Sequence, residues 1–478
     1  MTSVQGDSHL RRAIGRSGFF TLAFGAIVGS GWVVVLGEWL KEAGPGGSAV
    51  AFGLGGVVMV LVGLCYGELA AYSSTAGGEF LYALQTFGRY PAFLVGWYLT
   101  LYQISVCAFE AIALGWLLRA LIPGIALGTA YLIRGAPVTW DALVVGTSAA
   151  LVIAVLHVRG AGSAIRFQNF VTFAFIIVSI VLVFCGLSFG SLRNLRPLFA
   201  SNTGSSVTLG ILTTFATSAY FFNGWQASLH AIEERRKTVS ARAAILSMVV
   251  AIVASMVFYI AVILACSMAA PWQWLLSRDL PAAAAFSSIG SNRALGAVVL
   301  ATAIVSLTKT WSATVWIGTR LLFAQARHGM LPPWFGALHP GSRAPRSAVL
   351  FVTALTLVGI ALGRAAIVPI VDTLAICSAL SIILCLLVLL RRRRVRVSPL
   401  GFTVPGGPVT IWAALSCASC MIGISIVRPF FSSNPVISME WLLLISWGVL
   451  GSAVWLVTRS LWSAQVATSA SDGEVPQQ

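Results

Sequence analysis

Long apolar stretches alternate with short polar or basic connections along the chain. A window of about 19 residues finds apolar stretches of about 17 to 25 residues, the length that a helix needs to cross about 30 Å of hydrocarbon. The pattern therefore predicts an all-α, polytopic membrane protein with about 12 transmembrane helices. Their approximate bounds are 17–40, 47–71, 91–120, 141–158, 167–189, 208–230, 243–268, 295–322, 346–363, 366–390, 408–427 and 437–458.

The composition agrees with a membrane protein. Hydrophobic residues make up 58% of the chain and charged residues 9%, whereas a soluble domain carries roughly a quarter charged residues. All eight cysteines lie in the apolar stretches. Because free cysteine behaves there as a small hydrophobic residue, the sequence predicts no disulfide framework.

The basic residues are distributed unevenly across the predicted membrane. Of the 30 Lys and Arg residues, 20 fall on the side of the N-terminus, nine on the opposite side and one, Lys309, inside a span. Because Lys and Arg favour the cytoplasmic side, we predict a multi-pass protein of the cell (inner) membrane with both termini in the cytoplasm. This topology also accounts for the net charge of +16, so no nucleic-acid partner is predicted.

Several kinds of catalytic site have no counterpart in the sequence. None of the three lysines follows a glycine, so the chain has no G-x-x-x-x-G-K-[ST] loop to bind nucleotide phosphates. The five aspartates and five histidines are scattered and do not have the spacing of metal ligands. A transporter without a cofactor or metal is therefore favoured over an ATP-driven pump or a membrane-embedded enzyme.

Glycines interrupt the first predicted helix. The stretch "GAIVGSGW" places Gly29, Ser30 and Gly31 in the middle of this span. A break leaves amides without partners at one helix end and carbonyls at the other, and hydrocarbon satisfies neither. The amides attract an anionic group, whereas the carbonyls attract a cation or an ammonium group. An amino acid supplies both groups.

The sixth predicted helix carries a second interruption, at Asn223 and Gly224. Two interruptions five spans apart, in segments that cross the membrane in opposite directions, indicate the binding site of an inverted-repeat transporter. For either interruption alone, helix packing through small residues is the alternative interpretation. The matching positions favour a binding site.

Four separated regions resemble the amino acid, polyamine and organocation (APC) permeases. "GAIVGSGW" is similar to the first-helix signature of that superfamily. "YGELAAYSSTAGGEFLYALQTFG" followed by "GWYLTLY" resembles the connection between helices 2 and 3. "AYFFNGWQASLHAIEERRKT" resembles the sixth helix, and "TRLLFAQARHGMLPPWF" resembles the loop after the eighth. The chain thus looks like a bacterial amino acid permease.

The resemblance implies two inverted repeats of five helices with broken helices 1 and 6, the LeuT-like 5+5 arrangement, followed by two further helices. The predicted segments are a cytoplasmic tail at 1–16, the first repeat at 17–190, the second repeat at 191–395, helices 11 and 12 at 396–460, and a disordered cytoplasmic tail at 461–478.

The resemblance also implies which residues bind substrate. The carboxylate would bind the amides around Ser30 and Gly31, where glycines at 29 and 31 let a ligand approach the backbone. The ammonium would bind the carbonyls near Ala26, Ile27, Tyr220 and Phe221. Tyr220 would cover the substrate as an aromatic gate unless its ring only packs the membrane span. The predicted site residues are Ala26, Ile27, Gly29, Ser30, Gly31, Tyr220, Phe221, Asn223 and Gly224.

Three positions depart from the family pattern. Ser74 replaces a proline between helix 2 and the following Gly-Gly pair, and Trp32 replaces an aliphatic residue. Gln226 stands where arginine exchangers carry a glutamate. This last departure argues against exchange of arginine for agmatine.

Two ionisable residues, Glu110 and Lys309, lie inside predicted spans, where a charge costs about 2.5 to 3.5 kcal/mol. Glu110 matches a helix-3 glutamate of similar permeases and could change its protonation state during transport. Lys309 matches the helix-8 hydroxyl pair that holds sodium in related transporters, while Phe175 occupies the position of a helix-5 lysine. We therefore hypothesise that Lys309 takes the role of sodium beside the first break. An ion pair between Glu110 and Lys309, or snorkelling of either side chain, is the alternative.

The sequence thus predicts a secondary transporter that moves amino acids across the cell membrane by alternating access with proton coupling. An amino acid exchanger is the first alternative, and a transporter-like substrate sensor is the second. The predicted partners are a small-molecule amino acid and membrane lipid. The amino acid carried, the direction of transport and the oligomeric state stay open.

Overall fold

The computed structural model describes residues 10–72, 77–133, 135–201, 203–363, 367–394, 401–427 and 439–471. Helices dominate these ranges. The helices of the first half are α1 (Arg16–Ile27), α2 (Gly31–Val34), α3 (Leu36–Ala71), α4 (Gly78–Phe87), α5 (Arg89–Leu121), α6 (Trp140–Val158) and α7 (Ala161–Phe189).

The second half continues the helical bundle. Its helices are α8 (Gly204–Phe221), α9 (Ala227–His230), α10 (Ala241–Ala269), α11 (Trp272–Leu275), α12 (Pro281–Ser288), α13 (Arg293–Arg327), α14 (Arg346–Leu362), α15 (Ile367–Arg394), α16 (Gly407–Val427) and α17 (Met439–Ser471). Short 3-10 turns lie at Pro123–Ile125, Leu192–Leu195, Ile232–Glu234, Ile289–Ser291 and Pro333–Phe335.

The helix lengths establish a multi-pass membrane protein. Among the described residues, eight helical segments are long and apolar enough to cross a membrane. Three shorter apolar helical segments accompany them, at Ser206–Phe221, Arg346–Leu362 and Gly407–Met421. Every apolar stretch of the sequence contains helix, although 12 complete spans stay a prediction.

Two predicted boundaries differ from the structure. α3 joins the end of the first predicted span to the second, and it kinks at Gly44, where φ is +71° and Pro45 follows. Pro45 has no backbone N–H group, so no hydrogen bond from that residue is lost at the kink. At the other end, α17 continues to Ser471, past residue 461 where a disordered tail is predicted. Residues 1–9 and 472–478 of the predicted tails, and Ser74, lie outside the described residues.

A small hairpin interrupts the helical pattern between α5 and α6. Strands β1 (Thr129–Ile133) and β2 (Ala136–Thr139) pair antiparallel, with Leu132 opposite Pro137 and Ile133 opposite Ala136. The hairpin was not predicted, because its strands are at the short end of the usual range and Pro137 lies inside the second one, which weakens the strand pattern.

The core surrounds the two interruptions. α13 packs against α5, and α10 packs against α3. Four aromatic rings fill the space between α3, α8 and α10: Trp39 lies 4.5 Å from Phe52 and 4.8 Å from Phe221, and Phe52 lies 5.0 Å from Tyr259, measured between ring centroids. Rings in contact at these distances fix the relative positions of the helices that carry them.

Two tryptophans connect the last helix to α5. The Trp97 indole donates to the Trp447 carbonyl at 2.8 Å, and the Trp447 indole donates to the Trp97 carbonyl at 3.0 Å. Their rings stack with centroids 4.6 Å apart. Each buried indole N–H therefore has an acceptor on the other helix.

An ion-pair network lies at the end of the bundle where the chain begins. Glu234 accepts two hydrogen bonds from Arg320, at 2.8 and 3.1 Å, and Glu233 pairs with Arg327 at 3.0 Å. Burial raises the pKa of the Glu234 carboxyl above its ordinary value, while the adjacent Arg320 opposes that rise. The amides of Ala13 and Ile14 donate to the Glu234 carbonyl. The segment before α1 is thereby attached to the loop after α9.

Candidate functional site: two broken helices in contact

The first break separates α1 from α2. α1 ends at Ile27, Val28 is extended (φ −91°, ψ 91°), and α2 begins at Gly31. Among contacts between described residues, the amides of Gly29, Ser30 and Gly31 have no acceptor. The Ser30 hydroxyl is buried and has no partner within the described ranges. Three amides and one hydroxyl are thus available to an anionic ligand.

The second break separates α8 from α9. α8 ends at Phe221, Gly224 has φ +112°, and α9 begins at Ala227. The Gly224 amide donates to the Asn223 side-chain oxygen at 2.8 Å and to the Gln226 side-chain oxygen at 2.9 Å. This break therefore satisfies one of its own amides, unlike the first.

The two breaks touch each other through glycines. A Cβ on Gly224 would lie 2.7 Å from the Ala26 carbonyl oxygen, and a Cβ on Gly31 would overlap the Phe221 ring. At Gly224 the obstacle is backbone, so a side chain there would push the breaks apart, whereas at Gly31 the Phe221 ring would have to move. Gly224 also holds a positive φ that other residues rarely adopt. The glycines are therefore required for the close approach of the two interruptions.

Tyr259 on α10 connects the two breaks with its hydroxyl group. The hydroxyl oxygen lies 3.0 Å from the Ile27 carbonyl and 3.2 Å from the Phe221 carbonyl. Its single proton is shared between these two acceptors. The sequence reasoning did not identify Tyr259, and it assigned both carbonyls to the substrate ammonium. In the structure these carbonyls already have a partner.

Side chains of α13 satisfy three other carbonyls at the first break, those of Gly25, Val28 and Gly29. Ser306 contacts the carbonyls of Val28 and Gly29 at 2.8 Å each, and Thr310 contacts the Gly25 carbonyl at 2.9 Å. The Lys309 ammonium donates to the Gly25 carbonyl at 3.3 Å and to the Val28 carbonyl. The structure thus places Lys309 against the first break.

The Lys309 ammonium lies against an aromatic ring and makes no direct ion pair within the described ranges. Its ammonium nitrogen lies 4.4 Å from the Phe175 ring centroid. Phe175 stands where similar permeases carry a helix-5 lysine, and Lys309 is the residue predicted to supply that positive charge here. Among the described residues, no carboxylate lies within 4.0 Å of that nitrogen. The alternative of a direct ion pair with Glu110 does not describe this arrangement.

Glu110 faces the first break from α5. Its Oε1 atom lies 3.2 Å from the position that a Cβ on Gly29 would occupy. The side chain is buried, and Oε2 has no hydrogen-bond partner in the described part of the chain. A buried carboxyl group without a partner is costly when it is ionised. The position therefore suits a group that accepts and releases a proton.

A small polar cavity lies beside the second break. Its volume is about 10 Å³, and its walls include Gln103, Asn223, Gln226, His230 and Ser378. The His230 ring contacts the Glu79 carboxylate at 2.8 Å. The volume admits about one water molecule, so this cavity has no room for an amino acid in the present arrangement.

All predicted site residues lie around these two breaks or next to them. Tyr220 is half-buried, and its ring packs on Phe221 with centroids 5.1 Å apart. Ala26 and Gly224 are in contact, as are Gly31 and Phe221. The contributions of Tyr259 and Ser306 were missed, because each comes from a distant span and only the fold brings it to the break.

Comparison with known proteins establishes the class. The amino acid permease family model matches residues 14–454. The chain therefore belongs to the amino acid permease family, within the APC superfamily, and it is a membrane transporter and not an enzyme.

Individual relatives have different substrates in their names. The methylthioribose transporter of Bacillus subtilis (strain 168) is 26% identical, over 94% of this chain and 93% of that protein. The branched-chain amino acid permease BcaP of the same organism is 24% identical, over 86% of this chain and 87% of that protein. The cationic amino acid transporter 9, chloroplastic, of Arabidopsis thaliana is 29% identical, over 71% of this chain and 59% of that protein.

Substitution of Tyr259 by phenylalanine tests the connection between the breaks. We expect Tyr259→Phe to lower the apparent melting temperature of the detergent-solubilised protein, because a buried carbonyl that loses its partner costs about 1–3 kcal/mol. Tyr90→Phe is the matched control, since the Tyr90 ring is 44% exposed. Equal melting temperatures for wild type and Tyr259→Phe would show that the hydroxyl contributes nothing to the contact.

Proposed function

We propose that this chain is a secondary transporter that carries α-amino acids across the cell membrane by alternating access. The observation that carries the proposal is the first break, where three adjacent amides have no acceptor among the described residues, while the carbonyls of Gly25, Ile27 and Val28 have partners. We also propose 12 spans in a LeuT-like arrangement of two inverted repeats, with both termini in the cytoplasm. The family membership and the contact of two glycine-containing breaks support this arrangement.

The substrate carboxylate binds the open amides in this proposal. The amides of Gly29, Ser30 and Gly31 and the Ser30 hydroxyl form a donor group, and α2 directs its N-terminus to the same place. Backbone donors at a break suit a carboxylate in a site without bulk water. Because the contacts are made by the backbone, they fit the common part of any α-amino acid.

The ammonium binds on the carbonyl side of the breaks. Ala26 offers a carbonyl there, and those of Ile27 and Phe221 become available when the Tyr259 hydroxyl turns away. The Tyr220 carbonyl already accepts from the Asn223 amide at 3.2 Å and can accept a second bond. The Tyr220 ring then covers the substrate as the outer gate. Opening of the small cavity beside Gln226 provides the space for the amino acid side chain.

Coupling is assigned to Lys309 and Glu110. The Lys309 ammonium holds the carbonyls of Gly25 and Val28, where a sodium ion would hold them in a sodium-coupled transporter, so transport needs no sodium. Glu110 accepts a proton beside Gly29 and releases it during the cycle. A neutral Glu110 lowers the cost of its burial, so its protonation is linked to closure of the site.

Uptake into proteoliposomes tests the proposed function. The purified chain is reconstituted and supplied with labelled amino acids of different side-chain classes, with and without an inward proton gradient and with sodium or potassium outside. We expect accumulation of at least one amino acid that requires the proton gradient and not sodium. Methylthioribose is included because a relative that covers nearly the whole chain is named for it.

Other outcomes distinguish the alternatives. Uptake that requires unlabelled amino acid inside the vesicles identifies an exchanger. Saturable binding without flux identifies a substrate sensor. Uptake of methylthioribose but of no amino acid would show that the chain is a transporter and would reject amino acids as its substrates.

Glu110→Gln isolates the proton coupling. Glutamine keeps the shape and cannot ionise, so we expect gradient-driven accumulation to fall at least about tenfold, which corresponds to 1.4 kcal/mol. Exchange of substrate across the membrane at equal concentration should be retained. Glu38→Gln is the control because the Glu38 carboxylate is exposed, near the C-terminal end of the first predicted span (17–40). Full accumulation by Glu110→Gln would remove Glu110 from the coupling mechanism.

A further inference from the structure

An arginine-rich cleft lies at the end of the bundle where the chain begins. Five arginines line it: Arg11, Arg12, Arg159, Arg166 and Arg236. Its volume is about 500 Å³, and none of its lining residues is acidic. We call this feature the arginine cleft. It is separate from the two breaks, and Glu233 and Glu234 are not among its lining residues although they lie next to it.

The arginines of this cleft have no carboxylate partner in the part of the chain that the structure describes. Among the described residues, no carboxylate lies within 4.0 Å of any of the five guanidinium groups. The adjacent carboxylates of Glu233 and Glu234 are paired with Arg327 and Arg320. Burial, and after it the charge of Arg12, lowers the pKa of the neighbouring Arg235. Positive charge is therefore concentrated in the cleft without compensation from nearby residues.

The start of α7 forms the floor of the cleft. The sequence Gly160-Ala161-Gly162-Ser163 begins this 29-residue helix, and no side chain caps it. The amides of Ala161 and Gly162 have no acceptor among the described contacts. A Cβ on Gly162 would meet nothing within 4 Å, so a ligand can approach the backbone closely. Open amides at a helix start attract anions.

The positive-inside distribution explains on which side these arginines lie, but it does not explain their convergence on one concave surface. Arginine presents donors in a planar fork that matches phosphate oxygens. We propose that the arginine cleft binds a phosphate-bearing anion of at least two negative charges, either a soluble phosphate compound or the head group of an anionic phospholipid.

Occupation of the cleft would connect four separate segments of the chain. Arg11 and Arg12 precede α1, Arg159 and Arg166 flank the start of α7, Arg236 follows α9, and Ser342 precedes α14. The Arg236 side chain already donates to the Ala13 carbonyl at 2.9 Å. A ligand that contacts several of these segments stabilises the arrangement in which they are together. Binding would therefore oppose separation of these segments during a transport cycle.

Thermal melting of the full-length protein in neutral detergent tests the proposal with inorganic pyrophosphate as the soluble probe. Sodium chloride at the same low ionic strength is the reference, because salt screens such contacts. We expect pyrophosphate, or in a second arm nanodiscs of phosphatidylglycerol compared with phosphatidylcholine, to raise the melting temperature by at least about 2 °C. The arm that responds identifies the source of the phosphate group.

Matched double variants separate the cleft from general surface charge. Arg159→Gln with Arg166→Gln should abolish the shift, whereas Arg391→Gln with Arg394→Gln, which removes two exposed arginines outside the cleft, should retain it. If the first double variant does not fold, the single Arg166→Gln variant replaces it and should at least halve the shift. The proposal is overturned if neither probe shifts the wild type, or if the cleft and control variants respond equally.

Discussion

Replacement of Lys309 by methionine is expected to abolish concentrative uptake. Methionine keeps an unbranched side chain of similar length and removes the ammonium that holds the carbonyls of Gly25 and Val28. Ser306 and Thr310 still reach these carbonyls in the variant, but the hydrogen bonds from a charged donor are lost. Such bonds are worth about 1.5–3 kcal/mol each, so the contact between α1 and α13 should be weakened. The measurement is the initial rate of uptake into proteoliposomes at equal protein content, and we expect a fall of at least about tenfold.

A threonine at the same position gives a sharper test. Lys309→Thr would place a second hydroxyl group beside Thr310, whose oxygen already lies 2.9 Å from the Gly25 carbonyl and 3.3 Å from the Val28 carbonyl. Hydroxyl and carbonyl oxygens at a helix break can coordinate sodium. We therefore expect this variant to recover uptake when sodium replaces potassium. Uptake by the wild type should be the same with either ion.

The neighbouring residue provides the control for both variants. Thr308 bonds within its own helix, to the Val305 carbonyl at 2.8 Å, so Thr308→Val should leave uptake and its ion dependence unchanged. Normal uptake by Lys309→Met would contradict the proposed role of Lys309. Failure of sodium to act on Lys309→Thr, in a variant that is folded, would contradict the sodium-like position of the ammonium.

Gly224→Ala is expected to be the most damaging single-methyl change near the site. The new Cβ would lie 2.7 Å from the Ala26 carbonyl oxygen, and the residue would have to hold φ at +112°. Overpacking and the strained backbone each cost about 1–3 kcal/mol. Unlike the Phe221 ring opposite Gly31, the obstacle here is backbone, which cannot rotate away. We expect loss of uptake together with a lower melting temperature.

Gly423→Ala is the matched change in a helix with room for the methyl group. Nothing lies within 4 Å of its Cβ position, and alanine is the better helix former. Its uptake and melting temperature should equal or exceed those of the wild type. If Gly224→Ala behaves like Gly423→Ala, the two breaks are not in the close contact that the proposed binding site requires.

The sequence was most informative where the membrane restricts the backbone. Hydrocarbon forces a spanning segment to satisfy its own hydrogen bonds, so apolar length alone located α6 and α10 to within two residues of their bounds, at Trp140–Val158 and Ala241–Ala269. The same restriction makes a glycine break and a buried lysine conspicuous. The first break and Lys309 could therefore be located from sequence, whereas their proposed roles stay to be tested.

Tertiary contacts account for what the sequence did not reveal. Tyr259 lies in an unbroken apolar helix, and nothing local distinguishes it from a ring that only packs. Its partners are 232 and 38 residues away in the chain, so only the fold shows that it occupies carbonyls assigned to the substrate. The kink at Gly44 was missed for another reason, because the predicted spans 17–40 and 47–71 leave a gap where α3 continues through Gly44 and Pro45.

The paired indole bonds between Trp97 and Trp447 have a mechanical consequence. Two hydrogen bonds that run in opposite directions between the same two residues resist both sliding and rotation of one helix along the other. α5 and α17 should therefore move together as one rigid unit. Any movement of Glu110, which lies on α5, would then require α17 to move as well. Spin labels on these two helices should keep a constant separation while distances from either of them to α1 change with substrate.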